Sequence, residues 1–235
     1  MFPVGLAIML TGYREQYLWT TTIFLGLQAL ILLMLILKYW GFVPVLITSV
    51  IIFTLSYFIE YIGVNTGYPF GNYTYTSILT PQLFGVPLAI AFAWLSVNVS
   101  AYLITIDLYR KASAFAAALI SSVLIFSTDI LLEPFAAFVN GFWIWNSGRI
   151  PFVNFISWLV IGFLFSLVLT LFIKPGKLQG TEPCIKKIPY IVLMVNILTF
   201  LVINIYNSYL FMSVVGGTII TFILLILPLI SKSEA

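Results

Sequence analysis

"SAFAAALISSVLIFSTDILLEP", residues 113–134, is free of charge from Ser113 to Thr128 and then carries two acids, Asp129 and Glu133, before a proline. A helix needs about 20 apolar residues to cross the hydrocarbon core of a bilayer. This stretch has that length, and a soluble amphipathic helix would show a charged face that is missing here. Working outward, the same texture recurs at 17–38, 42–63, 86–107, 153–173, 188–207 and 209–231. With 62% hydrophobic and 7% charged residues, the chain lacks the polar surface of a soluble globule of this length. The reading is an all-α integral membrane protein, a single polytopic domain over 1–235 with seven transmembrane helices.

"MFPVGLAIML", residues 1–10, is too short to span and has neither a basic start nor a small-residue cleavage site. Residues 1–16 therefore read as an interfacial or re-entrant segment and not as a signal peptide. The short connection "NIYNSYLF", residues 204–211, leaves six or eight spans as alternatives. With the N-terminus outside, Lys38, Arg110, Lys111, Lys174, Lys177, Lys186, Lys187 and Lys232 fall inside, eight of the ten basic residues. The positive-inside rule then places the C-terminus in the cytoplasm. The net charge of +3 is explained by this topology and by anionic lipid, without a nucleic-acid partner.

Several chemistries lack their residues. With no His, neither a His-box di-iron site nor bis-His haem ligation can be built. Cys184 is the single cysteine, too few for a disulfide or a thiolate metal site, and no Gly-rich phosphate loop precedes a helix. A retinal protein would need a lysine in its last span, and none lies between Lys187 and Lys232. No metal and no cofactor is expected.

Carboxylate chemistry remains. Glu15, Glu182 and Glu234 fall in termini or loops, and Asp107 stands at helix-pair distance from Arg110 and Lys111. Glu60, Asp129 and Glu133 lie inside spans, where an acid costs on the order of 2.5–3.5 kcal/mol at mid-membrane and is a functional candidate by default. Asp129 and Glu133 are four residues apart and so share one helix face. Helices two and four run in the same direction, which brings all three acids to one boundary. A carboxyl group in low dielectric favours its neutral form, and a neutral carboxylic acid is a proton donor.

Each acid-bearing span leads into an unusual loop. "EYIGVNTGYPFGNYTYT", residues 60–76, has no charge after Glu60, and "FVNGFWIWNSGRIPFVNFISW", residues 138–158, carries only Arg149. Both are rich in Asn, Gly and aromatic residues and read as walls of one aromatic pocket, and they hint at a duplicated unit of two helices and a loop. Trp94, Asn98 and Tyr102 on helix three, and Asn204 and Asn207 at the end of helix six, fall at the same depth.

The residues from Glu60 to Thr76, then "GVPLAIAFAW" at 85–94, then "DILLEPFAAFVNGFWIWNSGRIPFVNFISW" at 129–158, resemble the membrane carotenoid hydratases. These include carotenoid 1,2-hydratases of bacteria and bisanhydrobacterioruberin hydratases of archaea. The likeness covers roughly 55–160; it departs at Glu133, where the family has Asp, and at Ile150 and Ser157, where it has Gly. The resemblance implies a hydro-lyase in the cytoplasmic membrane of a prokaryote, acting on an acyclic carotenoid, with the bilayer and other enzymes of the pathway as its surroundings. It implies protonation of C2 of the terminal C1=C2 bond, a tertiary cation at C1, and capture by water. Glu60 or Asp129 would give the proton, and the other, or Glu133, would handle the water. Phe70, Tyr73, Tyr75, Trp143 and Trp145 would face the cation, Trp94 would help bind the substrate, Asn65, Asn98 and Asn154 would hold water, and Arg149 would either tune an acid or sit at the headgroups. Gly67, Pro69 and Gly71 would fold the first loop back into the bilayer. A carotenoid cyclase using the same cation, a prenyltransferase and a proton-coupled transporter remain alternatives; a prenyltransferase would need a second acidic cluster.

Overall fold

The computed structural model describes residues 7–11, 14–178 and 182–226. Residues 1–6, 12 and 13 of the expected segment 1–16, and residues 227–231 of the last run, lie outside the described residues. The long helices are α1 (Thr20–Trp40), α2 (Phe42–Thr66), α3 (Leu88–Leu108), α4 (Ala114–Glu133), α5 (Phe152–Phe172) and α6 (Ile188–Tyr206). Six described helices are long and apolar enough to cross a membrane, against the seven expected. The seventh run forms α7 (Leu210–Thr221), followed by a π turn at Phe222–Ile226.

The helices surround α3, whose residues from Ala89 to Ile106 are nearly all buried. An all-round apolar helix is what such a central position requires. Close contacts fall at small residues, as expected where helices pack without a hydrophobic drive between them. A Cβ on Gly162 of α5 would stand 3.1 Å from Ile125 of α4, and one on Gly216 of α7 would stand 2.8 Å from Leu131. The outer surface is the reverse of a soluble protein's: Ile23, Leu27, Leu30 and Met34 of α1 are 52–60% exposed.

The chain is not purely helical. Between α2 and α3 lie β1 (Tyr73–Tyr75), β2 (Gln82–Leu83) and β3 (Val86–Pro87), and between α4 and α5 lies β4 (Trp143–Trp145). β2 and β3 form a short hairpin, whereas β1 pairs antiparallel with β4, placing Tyr73 opposite Trp145, Thr74 opposite Ile144 and Tyr75 opposite Trp143. Backbone near membrane depth must have its polar groups paired, and here the two loops supply one another's partners. At Gly71, φ is +111° and a Cβ would lie 2.6 Å from Pro151, so the loops approach where a side chain would separate them.

α4 does not stop at Glu133. It runs on through Pro134 as a π turn, Pro134–Val139, in which Asn140 N donates to Phe135 O at 3.1 Å. Proline cannot donate to the ladder, and the widened turn carries the chain past it. Glu133 thus remains a helix residue aimed inward and is 2% exposed.

Candidate functional site

Strand geometry builds the roof of the site. Alternate residues point to one face, so Tyr73, Tyr75, Trp143 and Trp145 all turn inward while Thr74 and Ile144 face out. Beneath them the three acids are buried, with exposures of 4% for Glu60, 0% for Asp129 and 2% for Glu133.

Each glutamate is held by three donors. The hydroxyls of Tyr73 and Tyr75 donate to Glu60 Oε2 at 2.6 and 2.8 Å, and Trp94 Nε1 donates to Oε1 at 3.0 Å. Trp143 Nε1 and Trp145 Nε1 donate to Glu133 Oε2 at 3.3 and 2.9 Å, and Asn154 Nδ2 donates to Oε1 at 2.9 Å. The device occurs twice: an acid on a helix, two inward aromatics on the next strand, and a donor from the following helix. α3 and α5 begin alike after Pro87 and Pro151, whose backbones agree at φ/ψ of −69°/138° and −67°/139°. Seven residues beyond each proline stand Trp94 and Trp158, which stack on one another at 3.9 Å between ring centroids. The hinted duplication is therefore present in the geometry.

Asp129 breaks the symmetry, since four residues before Glu60 the chain has Ser56. Asn154 Nδ2 donates to Asp129 Oδ2 at 3.2 Å and so spans both acids of α4. Asp129 Oδ1 is buried and has no hydrogen-bond partner. Burial first, and then the charge of Glu60, push the phenols of Tyr73 and Tyr75 up, so both keep their protons at ordinary pH. Gly63, one turn beyond Glu60, makes room for them: a Cβ there would meet Tyr73 Oη at 2.8 Å.

These groups line a cavity of about 440 Å³ with no basic side chain among its described walls. Of the residues singled out in the sequence, Glu60, Phe70, Tyr73, Tyr75, Trp94, Asp129, Glu133, Trp143, Trp145 and Asn154 line it. Three do not. Asn65 is exposed and folds back on Tyr61 O at the end of α2. Asn98 lies one turn further along α3, donating to Trp94 O, with its Oδ1 buried and unpartnered. Arg149 is exposed, carried outward by the turn in which Gly148 N donates to Trp145 O, and no ion pair among the described residues joins it to an acid. Tyr102 and Asn204 serve packing, donating to Ile173 O and Leu131 O. Asp107 forms the expected pair with Arg110 at 3.5 Å.

The sequence reading missed Trp158, whose seven-residue offset from Pro151 repeats that of Trp94 from Pro87 and was the available signal. It also missed Asn196 of α6, which lines the cavity and exchanges two hydrogen bonds of 3.0 Å with Gln28 of α1.

Fold and site together define a helical protein of membrane type whose centre is a buried carboxylate cluster roofed by aromatic residues. The profile of the family described as "Carotenoid biosynthesis protein" matches residues 20–224, and the chain belongs to that family. It is also similar to the bisanhydrobacterioruberin hydratase of Haloarcula japonica, with 34% identity over 113 residues. That match covers 46% of this chain and 38% of the relative. No solved structure matches the chain.

Proposed function

We propose that this protein hydrates the terminal C1=C2 double bond of an acyclic carotenoid, giving a tertiary alcohol by acid-catalysed carbocation chemistry. The observation that carries the reading is the hydrogen-bond inventory of the acids. Five of their six carboxylate oxygens accept from protein donors, and Asp129 Oδ1 alone has none. The family membership and the hydratase relative point to the same chemistry.

In this reading Asp129 gives its proton to C2; the π pair forms the new C–H bond and leaves a tertiary cation at C1. The stacked Trp94 and Trp158 and the inward Trp143 and Trp145 present aromatic faces, each stabilising a cation by roughly 0.5–2 kcal/mol. Water adds to C1, and its surplus proton passes to Glu60, whose tyrosine partners can turn from donating to accepting. That proton then returns to Asp129 through water in the cavity, so the reaction consumes only alkene and water. Glu133, held by two indoles that can only donate, lines the cavity facing the cation.

The basic residues favour an orientation with β1 and β4 on the outer side, the C-terminus in the cytoplasm and seven spans in one polytopic domain, and the haloarchaeal relative favours residence in a prokaryotic cytoplasmic membrane. The test is expression in cells that accumulate an acyclic carotenoid, with the pigments analysed by mass. A product heavier by one water, absent with Asp129→Asn, is the expected result. A product of unchanged mass would mean cyclisation, and no product from several acyclic substrates would overturn the assignment.

A further inference from the structure

The cavity is closed above by the β1–β4 ladder and along one side by the acids and the Trp94–Trp158 stack. Along α1 it is not closed, because the lining residues Ile23, Phe24 and Leu27 are themselves 54%, 43% and 52% exposed. The helix facing them across this opening is α6, through Asn196, Thr199 and Phe200. α1 packs mainly on α3 and α2 and touches α6 little. The two helices are tied by the reciprocal Gln28–Asn196 amide pair, whose members are 5% and 6% exposed.

The position of that pair along the seam gives it meaning. Trp40, at the far end of α1, donates to Lys174 O beyond α5, so α1 starts at the loop end of the bundle and α6 finishes there. On α1 the lining residues lie between Thr20 and Leu27, and on α6 between Asn196 and Phe200. Every one of them is level with the amide pair or on its loop side. An amide stripped of its partner in hydrocarbon is costly, so the pair holds the deep end of the seam shut, while on the loop side, where Met9 also lines the cavity, no further side-chain hydrogen bond joins α1 to α6 among the described residues. A cavity of about 440 Å³ is at the small end of ligand sites, which run roughly from 300 to 1,000 Å³. It has room for an isoprenoid end group and not for a whole long polyene.

We infer that the seam between α1 and α6, on the loop side of Gln28–Asn196, is the binding groove for the unreacted polyene chain and its way in from the bilayer. This rests on the hydratase reading above. One end of the substrate reaches Asp129 while the rest lies along Ile23, Phe24 and Leu27 in contact with lipid, so a two-ended substrate must leave and re-enter to react twice.

The test places a removable plug in the groove. Leu27→Cys, in a Cys184→Ser background, is reconstituted in lipid nanodiscs, capped with a benzyl thiosulfonate and later uncapped with reductant. Two readouts are followed with an acyclic polyene: product mass, and quenching of tryptophan emission, which requires occupation of the site but no reaction. Capping should cut conversion and the rate of quenching at least tenfold, and uncapping should restore both. A cap at Met34→Cys, 60% exposed on the same helix but beyond the amide pair, should change neither. Phe24→Cys repeats the test should Leu27→Cys not fold. Equal quenching with and without the cap overturns the groove. Quenching that responds to the cap without any product heavier by water leaves the groove standing and removes the hydratase.

Discussion

The two glutamates sit in matching places yet should respond differently to the same substitution. In Glu60→Gln the new amide keeps its oxygen toward Trp94 and turns its NH₂ toward Tyr73 and Tyr75. Their hydroxyls can accept as well as donate, so no donor faces a donor. Glu133→Gln has no such arrangement. Trp143 and Trp145 can only donate, so the amide oxygen must stay with them, and the NH₂ is forced against the Asn154 Nδ2 that now donates at 2.9 Å. A buried donor left unsatisfied costs about 1–3 kcal/mol. Asn154 could escape by flipping only if Asp129 moved its proton to Oδ2, to which Asn154 now donates at 3.2 Å, and so gave up the proton at its free Oδ1. Glu133→Gln should therefore be less stable than Glu60→Gln by about 2 kcal/mol. For a chain of this size that is a Tm lower by roughly 4–8 °C, measurable by thermal unfolding of both variants in the same detergent. Equal losses, or a larger loss for Glu60→Gln, would refute the donor-only account of the Glu133 environment.

Other substitutions probe neighbouring parts of the design. Asp129→Asn should lower hydration by about 10³-fold, within the usual range for loss of a general acid, while its Tm stays within a few degrees of wild type; retained turnover would move the proton donor elsewhere. Gly63→Ala should push Tyr73 off Glu60, because the added Cβ falls 2.8 Å from the hydroxyl, and should reduce turnover more than Tyr75→Phe does; an unchanged rate would show that the Tyr73 contact is dispensable. Gln28→Leu or Asn196→Leu alone should destabilise, and the double substitution should recover part of the loss, with a coupling of about 0.6–2 kcal/mol typical of membrane helix contacts. A coupling near zero in denaturant unfolding would mean that the pair does not hold α1 to α6.

Much of the site was legible in the sequence because charge in an apolar chain is conspicuous. Three acids inside hydrophobic runs could be found by inspection, and the aromatic loops that follow two of them proved to be their ligands. The pairing of β1 with β4 was not legible. Strands of three residues, one in each of two separate loops, carry too little hydrophobic pattern to announce a partner, although the alternation in Tyr-Thr-Tyr and Trp-Ile-Trp was there to be read. Asn65 was misjudged because it is still a residue of α2, where its side chain folds back on Tyr61 O, and of the two roles left open for Arg149 its exposed position fits the outward one. The Gln28–Asn196 contact joins helices far apart in the chain, and a lone amide in an apolar run gives no sign of its counterpart. The helix count differs because the last run is described only over Leu210–Ile226, which is apolar but shorter than the six spans.

The local origin of the donors has a consequence for biogenesis. Glu60 takes its three hydrogen bonds from residues 13, 15 and 34 positions later. Glu133 takes its own from residues 10, 12 and 21 positions later. Each acid and its ligands thus leave the ribosome as one hairpin-sized parcel, and each can be delivered to lipid with its own hydrogen bonds made, without waiting for the other half of the chain. Truncation after α3 should leave a fragment that still integrates, whereas cutting between Glu60 and Tyr73 should strand a carboxylate at the translocon and hand the nascent chain to quality control.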